Sequence, residues 1–391
     1  MEPDQHDLSW LPDRHIAVAS TLSHADDLID HVCKLAYVYG VGDETSGPIE
    51  IEELPGAGVT LSTIRSVKLL PRALALYAAD ALTTLRAAVE HTLYAEAEHH
   101  LGRVFTGTEE RLVEMPAHTT AEKFDGWVEG RRKRKAPASL LDARHVLGRV
   151  RALQPYRSPT PQEHPLALLA SHTNLAKHRM AALAAGRVAF TIPDYEVAGV
   201  KFLPSKEGPA EAGDVLAEVP FGVTVPVSIF SHIAIHRPGT DQWPILLQEL
   251  GDIATWVRTV AIPTLITGSA DVDPLPASID TSATPSEERA TIAAGSWQSA
   301  VQRSSIRLGA FTAREDLARL LAAHPKPADP IVIEDWLNSL ADQDVVDRTK
   351  QLAGSNPSVE NAWQMLMVAG GFIEEAEALA AAGAAEEEVE E

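Results

Sequence analysis

Arg86 and His91 are the two residues whose types and spacing most directly suggest chemistry. A guanidinium can hold a phosphate group and an imidazole can move a proton, so the pair could act as a phosphate-binding group and an acid or base. Both lie in a segment predicted to be helical, residues 71–101. Because five residues at about 100° each set two side chains about 140° apart on an ideal helix, a second copy of the helix would have to complete the site.

A structural interpretation of the same pair stays open. The segment carries an apolar stripe at helical spacing, formed by Leu82, Leu85, Val89 and Leu93. Such a stripe predicts a helix with one buried face. In this interpretation Arg86 borders the buried stripe, and His91 faces another helix or solvent.

Two parts of the chain resemble an uncharacterised group of bacterial helical proteins. The first is LTTLRAAVEH at residues 82–91, which is similar to a helix of the form D-x-L-x-N-L-R-x-A-L-D-H. The second is spread over three short segments: LQPY at 153–156, PLALL at 165–169 and NLAKHR at 174–179. The resemblance covers residues 16–268 and implies a shared architecture.

The Arg-x4-His spacing is also similar to the signature of HEPN domains, four-helix bundles that often act as metal-independent ribonucleases. The resemblance implies a homodimer in which Arg86 binds phosphate and His91 is the acid or base, with a role in phage defence or a toxin system. The family usually has a polar residue after the arginine, where this chain has Ala87. Thr84 and Glu90 stand where the bacterial group has Asn and Asp.

Two further groups of polar residues are candidate substrate contacts. Asn174, Lys177, His178 and Arg179 could hold a phosphate or a nucleotide; the alternative is a hydrogen-bond network between helices. The basic run 131–135, with Arg131, Arg132 and Lys133 at its start, could contact RNA phosphates; the alternative is a solvated surface.

Metals and cofactors are not expected. Glu96 and His99 form one Glu-x-x-His half of a di-iron motif, but no second half is evident. Phosphate-binding loops, dinucleotide fingerprints, nucleophile elbows and His-Glu-x-x-His motifs are missing from the sequence.

Composition places the chain among globular proteins and limits its partners. Hydrophobic residues make up 45% and charged residues 23%, and the net charge of −22 argues against a general nucleic-acid coat. The single cysteine, Cys33, can form no internal disulfide.

Without a signal-peptide pattern in residues 1–14 or an apolar run of about 18 residues, we expect a cytoplasmic protein that does not span a membrane.

The predicted fold is α+β and mainly helical. Residues 1–268 are predicted to form a HEPN-like helical bundle with a small inserted antiparallel sheet, indicated by apolar alternation over 188–192 and 223–235. Residues 43–63 are interpreted as a connection and 103–137 as irregular. The remaining predicted divisions are a linker at 269–288, a helical C-terminal domain at 289–380 and a disordered acidic tail at 381–391.

Two functions follow from these observations. The first is RNA binding or cleavage by a homodimer. The second is a non-catalytic scaffold that recruits a protein partner through its helical C-terminal region.

Overall fold

The computed structural model describes most of the chain, in seven stretches: residues 6–41, 47–178, 184–193, 198–223, 227–284, 286–352 and 359–390. The chain divides into two compact units, residues 1–301 and 302–391. The fold is mainly helical α+β, as predicted.

Two long helices form the centre of the first unit. α1 (Ala17–Val41) packs along α2 (Arg72–Leu101), and the predicted stripe of α2 is confirmed because Leu82, Leu85, Val89 and Leu93 are all buried. α2 ends at Gly102, whose positive φ of 74° lets its N–H bond back to the Glu98 and His99 carbonyls.

Shorter helices complete the first unit. They are α3 (Gly107–Glu110), α4 (Ala121–Lys133), α5 (Val146–Ala152), α6 (Pro165–His178), α7 (Leu246–Trp256), α8 (Ile262–Thr267) and α9 (Glu288–Ala293). α6 and α8 pack on α2, and α7 packs on α1 and α6. α4 lies inside 103–137, so the prediction of an irregular segment was wrong there. Phe124 and Val128 give α4 the buried face that stabilises it.

Two antiparallel sheets accompany the helices. A four-stranded sheet has the order β1 (Ile49–Pro55), β2 (Val59–Val67), β5 (Val215–Pro220) and β4 (Lys201–Phe202). A two-stranded sheet pairs β3 (Ala184–Pro193) with β6 (Val227–Ile235), as the apolar alternation predicted.

The prediction that residues 43–63 are only a connection was wrong, since β1 and the start of β2 lie there. β1 is an edge strand with exposed Glu50, Glu52 and Glu53. Charged side chains of this kind protect an open edge from pairing with other chains, and they also hide the strand from a hydrophobicity pattern.

Gly186 in β3 marks a close approach between the sheet and α1. A Cβ atom at this position would lie 2.9 Å from the Tyr39 hydroxyl oxygen, and that hydroxyl donates a 2.8 Å hydrogen bond to the Lys68 carbonyl. A larger residue at 186 would therefore displace the contact that joins the end of α1 to the end of β2.

The segment predicted as a linker packs against the first unit. Leu275, Ala277 and Ile279 are buried, and the backbone of Ile279 exchanges two hydrogen bonds with the Ser23 hydroxyl of α1. Alternating apolar residues within 275–279 give this stretch enough buried surface to be ordered. The boundary between the units accordingly lies after residue 301.

The second unit is helical throughout its described residues. α10 (Ala300–Ala322) leads into it from the first unit, and α11 (Pro330–Ser339), α12 (Asp342–Leu352) and α13 (Val359–Glu390) follow. Its own core includes Leu317, Leu321, Trp336 and Phe372. Most of the predicted acidic tail falls within α13, although the side chains beyond residue 382 lie outside the described part.

None of the helices that the structure describes has the length and apolar character needed to cross a membrane.

Candidate functional site

The side chains of Arg86 and Glu90 both form hydrogen bonds with the backbone of Met115. The Arg86 Nε donates to Glu90 Oε1 at 2.8 Å, and its Nη2 donates to the Met115 carbonyl. The Met115 N–H donates to Glu90 Oε2 at 2.7 Å. One guanidinium and one carboxylate thus satisfy both backbone groups of Met115, and the charge of Arg86 is balanced inside its own chain.

Gln154, from the LQPY motif, binds backbone groups of the residues that follow Met115. Its side chain is fully buried, its Nε2 donates to the Pro116 carbonyl at 2.9 Å, and its Oε1 accepts from the His118 N–H at 3.1 Å. The Tyr156 N–H donates to the His118 carbonyl at 3.1 Å.

These contacts define a clamped segment, residues 115–118, which is neither helix nor strand. Buried backbone groups need hydrogen-bond partners, and here side chains supply several of the partners that regular secondary structure would otherwise provide. Arg86, Glu90 and Gln154 all belong to the two motifs identified in the sequence. The motifs therefore converge on this segment, a relationship that spacing alone did not reveal.

His91 lies apart from this arrangement. It is exposed on α2, and no hydrogen bond of the described residues joins it to Arg86. The structure leaves the pair separated within one chain, as the helical geometry predicted.

The residues of the basic run 131–135 differ in their exposure to solvent. The Arg131 side chain is only 7% exposed; it pairs with Glu114 next to the clamped segment, and its guanidinium lies 5.3 Å from the Trp127 ring centre. Arg132 and Lys133 are exposed and lie 3.8 and 3.9 Å from Glu129 carboxylate oxygens. Of the three predicted contacts, these two are accessible to a nucleic acid.

The α6 candidates are described only in part. Asn174 is exposed, whereas its neighbours His172 and Thr173 are buried. Lys177 and His178 belong to the helix, but their side chains lie outside the described residues, as does the whole of Arg179.

Glu96 of α2 is the centre of a buried ionic cluster that the sequence did not reveal. Its carboxylate is 1% exposed and accepts from Arg14 at 2.7 Å, His15 at 2.6 Å and Arg149 at 2.7 Å. Arg149 also donates to the Leu265 carbonyl of α8 at 2.8 Å. The sequence analysis placed Glu96 only in an incomplete Glu-x-x-His pattern with His99, and it did not predict these partners.

The cluster fixes the ionisation of Glu96. Burial by itself raises the pKa of a carboxyl group, but the hydrogen bonds from His15 and Arg14, together with their charges, outweigh burial and lower the pKa of Glu96 to about 2. The carboxylate is therefore charged at neutral pH.

A second buried glutamate, Glu249 of α7, is bound in a similar way. The Arg237 Nε and Nη2 donate to its two oxygens at 3.0 and 2.7 Å, and His172 Nε2 of α6 lies 3.3 Å from Oε1. Burial opposes ionisation, yet the hydrogen bonds from His172 and Arg237 lower the pKa of Glu249. Beside Arg237 lies an open cleft of about 500 Å³.

The second unit carries an apolar groove of about 250 Å³. Its lining comes from the end of α10, the end of α12 and the first turns of α13: Leu320, Ala323, His324, Leu352, Met365, Leu366 and Ala369. Near it on α13, the side chains of Trp363 and Met367 are 65% and 72% exposed.

Among the described residues, no group of three or more His, Cys, Asp or Glu side chains is arranged to hold a metal ion.

The clamped segment can be tested by hydrogen exchange. We expect Glu90→Ala to speed exchange of the Met115 amide about tenfold, the equivalent of one lost hydrogen bond, and to leave the His118 amide slow. Gln154→Ala should give the reverse pattern, so each variant controls for the other. Equal acceleration of both amides in both variants would show that the segment is not held residue by residue.

The Glu96 cluster predicts a loss of stability on substitution. Glu96→Gln leaves Arg14 and Arg149 without their anion and His15 without its carboxylate partner, so the free energy of unfolding in urea at neutral pH should fall by about 3 kcal/mol. Glu110→Gln, at an exposed position, is the control and should change stability little.

The same pair of proteins tests the pKa. Because the pKa of Glu96 is lower in the folded chain than its ordinary 4.5, its stabilisation is complete above 4.5 and is lost as the pH falls towards 2. The stability difference between wild type and Glu96→Gln should shrink over that range. A difference that stays constant with pH would contradict the assignment.

No protein-family model, no curated protein and no solved structure matches this chain.

Proposed function

We propose that the protein is a non-catalytic interaction protein whose second unit binds an amphipathic helix with a basic polar face. The observations that carry the proposal are the apolar groove, which Leu366 of α13 helps to line, and the exposed apolar residues Trp363 and Met367 on the same helix. Large exposed apolar patches on globular proteins mark interaction sites.

The shape and chemistry of the groove suit a helix. Side chains at i, i+3 and i+4 share a helix face, so Trp363, Leu366 and Met367 form one apolar row on α13. Tryptophan is among the residues that contribute most to binding at interfaces, and methionine adapts to varied apolar partners. An amphipathic helix can place its apolar face in such a groove through anchors at similar spacing.

The net charge of the second unit indicates which charge the polar face of its partner carries. Residues 302–391 contain seven Lys and Arg against seventeen Asp and Glu. Several of the cations are already paired within the unit, including Arg314 with Asp342 and Arg348 with Glu375. A unit with this excess of negative charge attracts a helix whose polar face is basic.

Catalysis is less well supported because Arg86 is already bound. Its guanidinium contacts the Glu90 carboxylate and the Met115 carbonyl. Its Nη1 has no hydrogen-bond partner among the described residues, but this atom is buried. Turning the guanidinium outwards to meet a phosphate would take Arg86 away from the Met115 carbonyl.

The groove can be tested with a labelled peptide of leucine and lysine, about 18 residues or five helical turns long, added to the full-length protein. Fluorescence anisotropy should show saturable binding, and Trp363→Ala should weaken it about tenfold or more. Ile331→Ala removes another exposed apolar side chain, 68% exposed and outside the groove, and should bind like the wild type.

A scrambled peptide tests whether binding depends on an apolar helix face. A peptide of the same composition in scrambled order should bind much more weakly, since it lacks an apolar face. Equal binding of both peptides, or no effect of Trp363→Ala, would contradict the proposal. Light scattering that shows a dimer lost in Trp363→Ala would instead assign the groove to a second copy of the chain.

A second candidate is the RNA-binding or RNA-cleaving homodimer implied by the HEPN resemblance. The observation that favours it is the accessibility of three predicted residues, since His91, Arg132 and Lys133 are all exposed. A homodimer would have to bring His91 to the Arg86 of a second chain.

RNA cleavage has a direct test. The purified protein should cut structured RNA in the presence of EDTA, and His91→Ala should abolish the activity. His99→Ala changes another exposed histidine of α2 and should remain active. If wild type and His91→Ala cleave equally, a contaminant is responsible and the candidate fails.

A further inference from the structure

The cleft beside Arg237 lies where four stretches of the first unit meet. Its walls come from the loop at 159–163, from α6 and from the turn after β6. The fourth stretch is Thr119, which follows the clamped segment in the sequence and also lines the cleft. Its volume of about 500 Å³ falls within the usual range of small-molecule sites. The clamped segment and the Glu249 cluster hold these walls in place from two sides.

Arg237 presents donors to the cleft in a fixed orientation. A guanidinium has five N–H donors. In the described contacts one edge, Nε and Nη2, donates to Glu249, and Nη1 donates to Gln242 Oε1 at 2.9 Å. These bonds occupy three N–H groups, so two remain for a ligand, on a side chain that is 17% exposed.

The charges around the cleft disfavour an anion. Glu249 is 2% exposed and balances Arg237 directly. The hydrogen bond that Arg237 donates to Glu249 raises the pKa of Arg237, and the negative charge of Glu163, an exposed residue of the cleft wall, adds to this effect. The wall therefore has no excess positive charge to offer a phosphate.

The remaining polar wall is made of groups that both donate and accept. The hydroxyls of Thr119, Thr160 and Ser171 and the amide of Gln162 line it, and Leu168 and the prolines provide small apolar surfaces. Adjacent hydroxyl groups on a ligand match this mixture, since each can accept from an arginine or amide N–H and donate to a carboxylate or hydroxyl oxygen.

We propose that this cleft binds an uncharged polyhydroxylated small molecule, with Arg237 and Gln162 donating to its hydroxyl oxygens and Glu163 accepting from its hydroxyl groups. Arg237 is a binding residue here, oriented by Glu249 and Gln242. The site lies wholly within the first unit and is independent of the groove on the second.

The test uses the full-length protein and three probes at millimolar concentration: maltose, uridine and inorganic phosphate. Ligand-observed saturation-transfer NMR and thermal unfolding should show that maltose or uridine binds and raises Tm, whereas phosphate does neither. Gln162→Ala removes an exposed amide without touching the core and should weaken binding several-fold. Ala167→Trp fills the cleft and should weaken it about tenfold or more.

Arg157→Ala is the matched control, because Arg157 is exposed on the preceding turn but does not line the cleft. It should bind the probes like the wild type, and circular dichroism should show that all three variants are folded. Binding of phosphate in place of the hydroxylated probes would overturn the uncharged class of ligand. Binding of no probe, or binding unaffected by Gln162→Ala and Ala167→Trp, would overturn the site itself.

Discussion

The carboxylate of Glu96 joins parts of the chain that are distant in sequence. It lies on the central helix α2 and is bound by Arg14 and His15 from the N-terminal region and by Arg149 from α5. Through Arg149 the cluster also reaches the backbone of α8. Removing this carboxylate would leave Arg14 and Arg149 close together without the anion that they share, so the packing of these elements depends on its charge.

Glu249 forms a similar buried cluster at another place in the first unit. It joins α7 to α6 through His172 and to the turn after β6 through Arg237. In both clusters arginine and histidine side chains bind a glutamate that has almost no contact with solvent. The clusters differ in their surroundings, because Arg237 also faces an open cleft and so combines a structural contact with donors that remain accessible.

Much of the fold was predictable from local patterns. The helical segment predicted at 71–101 and its apolar stripe are local signals, and both were confirmed by α2. The pairing of β3 with β6 followed from alternation. β1 was missed because its exposed acids conceal the strand, and α4 was missed because its buried face has only a few apolar residues.

The candidate site was much less predictable, for a physical reason. Clustering of Glu96 with Arg14, His15 and Arg149 depends on contacts between residues more than fifty positions apart. Spacing along one helix carries no information about such partners. The same limit applies to Arg237 and Glu249, which meet only because β6 and α7 are joined by a turn.

The motif residues show how a functional pattern and a folding requirement can coincide. An arginine on a helix suits phosphate binding, but here Arg86 and Glu90 together satisfy the two backbone groups of Met115 in an irregular segment. A clamp needs such an acceptor for a backbone N–H, whereas a phosphate site gains nothing from a second negative charge beside its arginine. The carboxylate at position 90 therefore argues that Arg86 serves the fold before it serves any substrate.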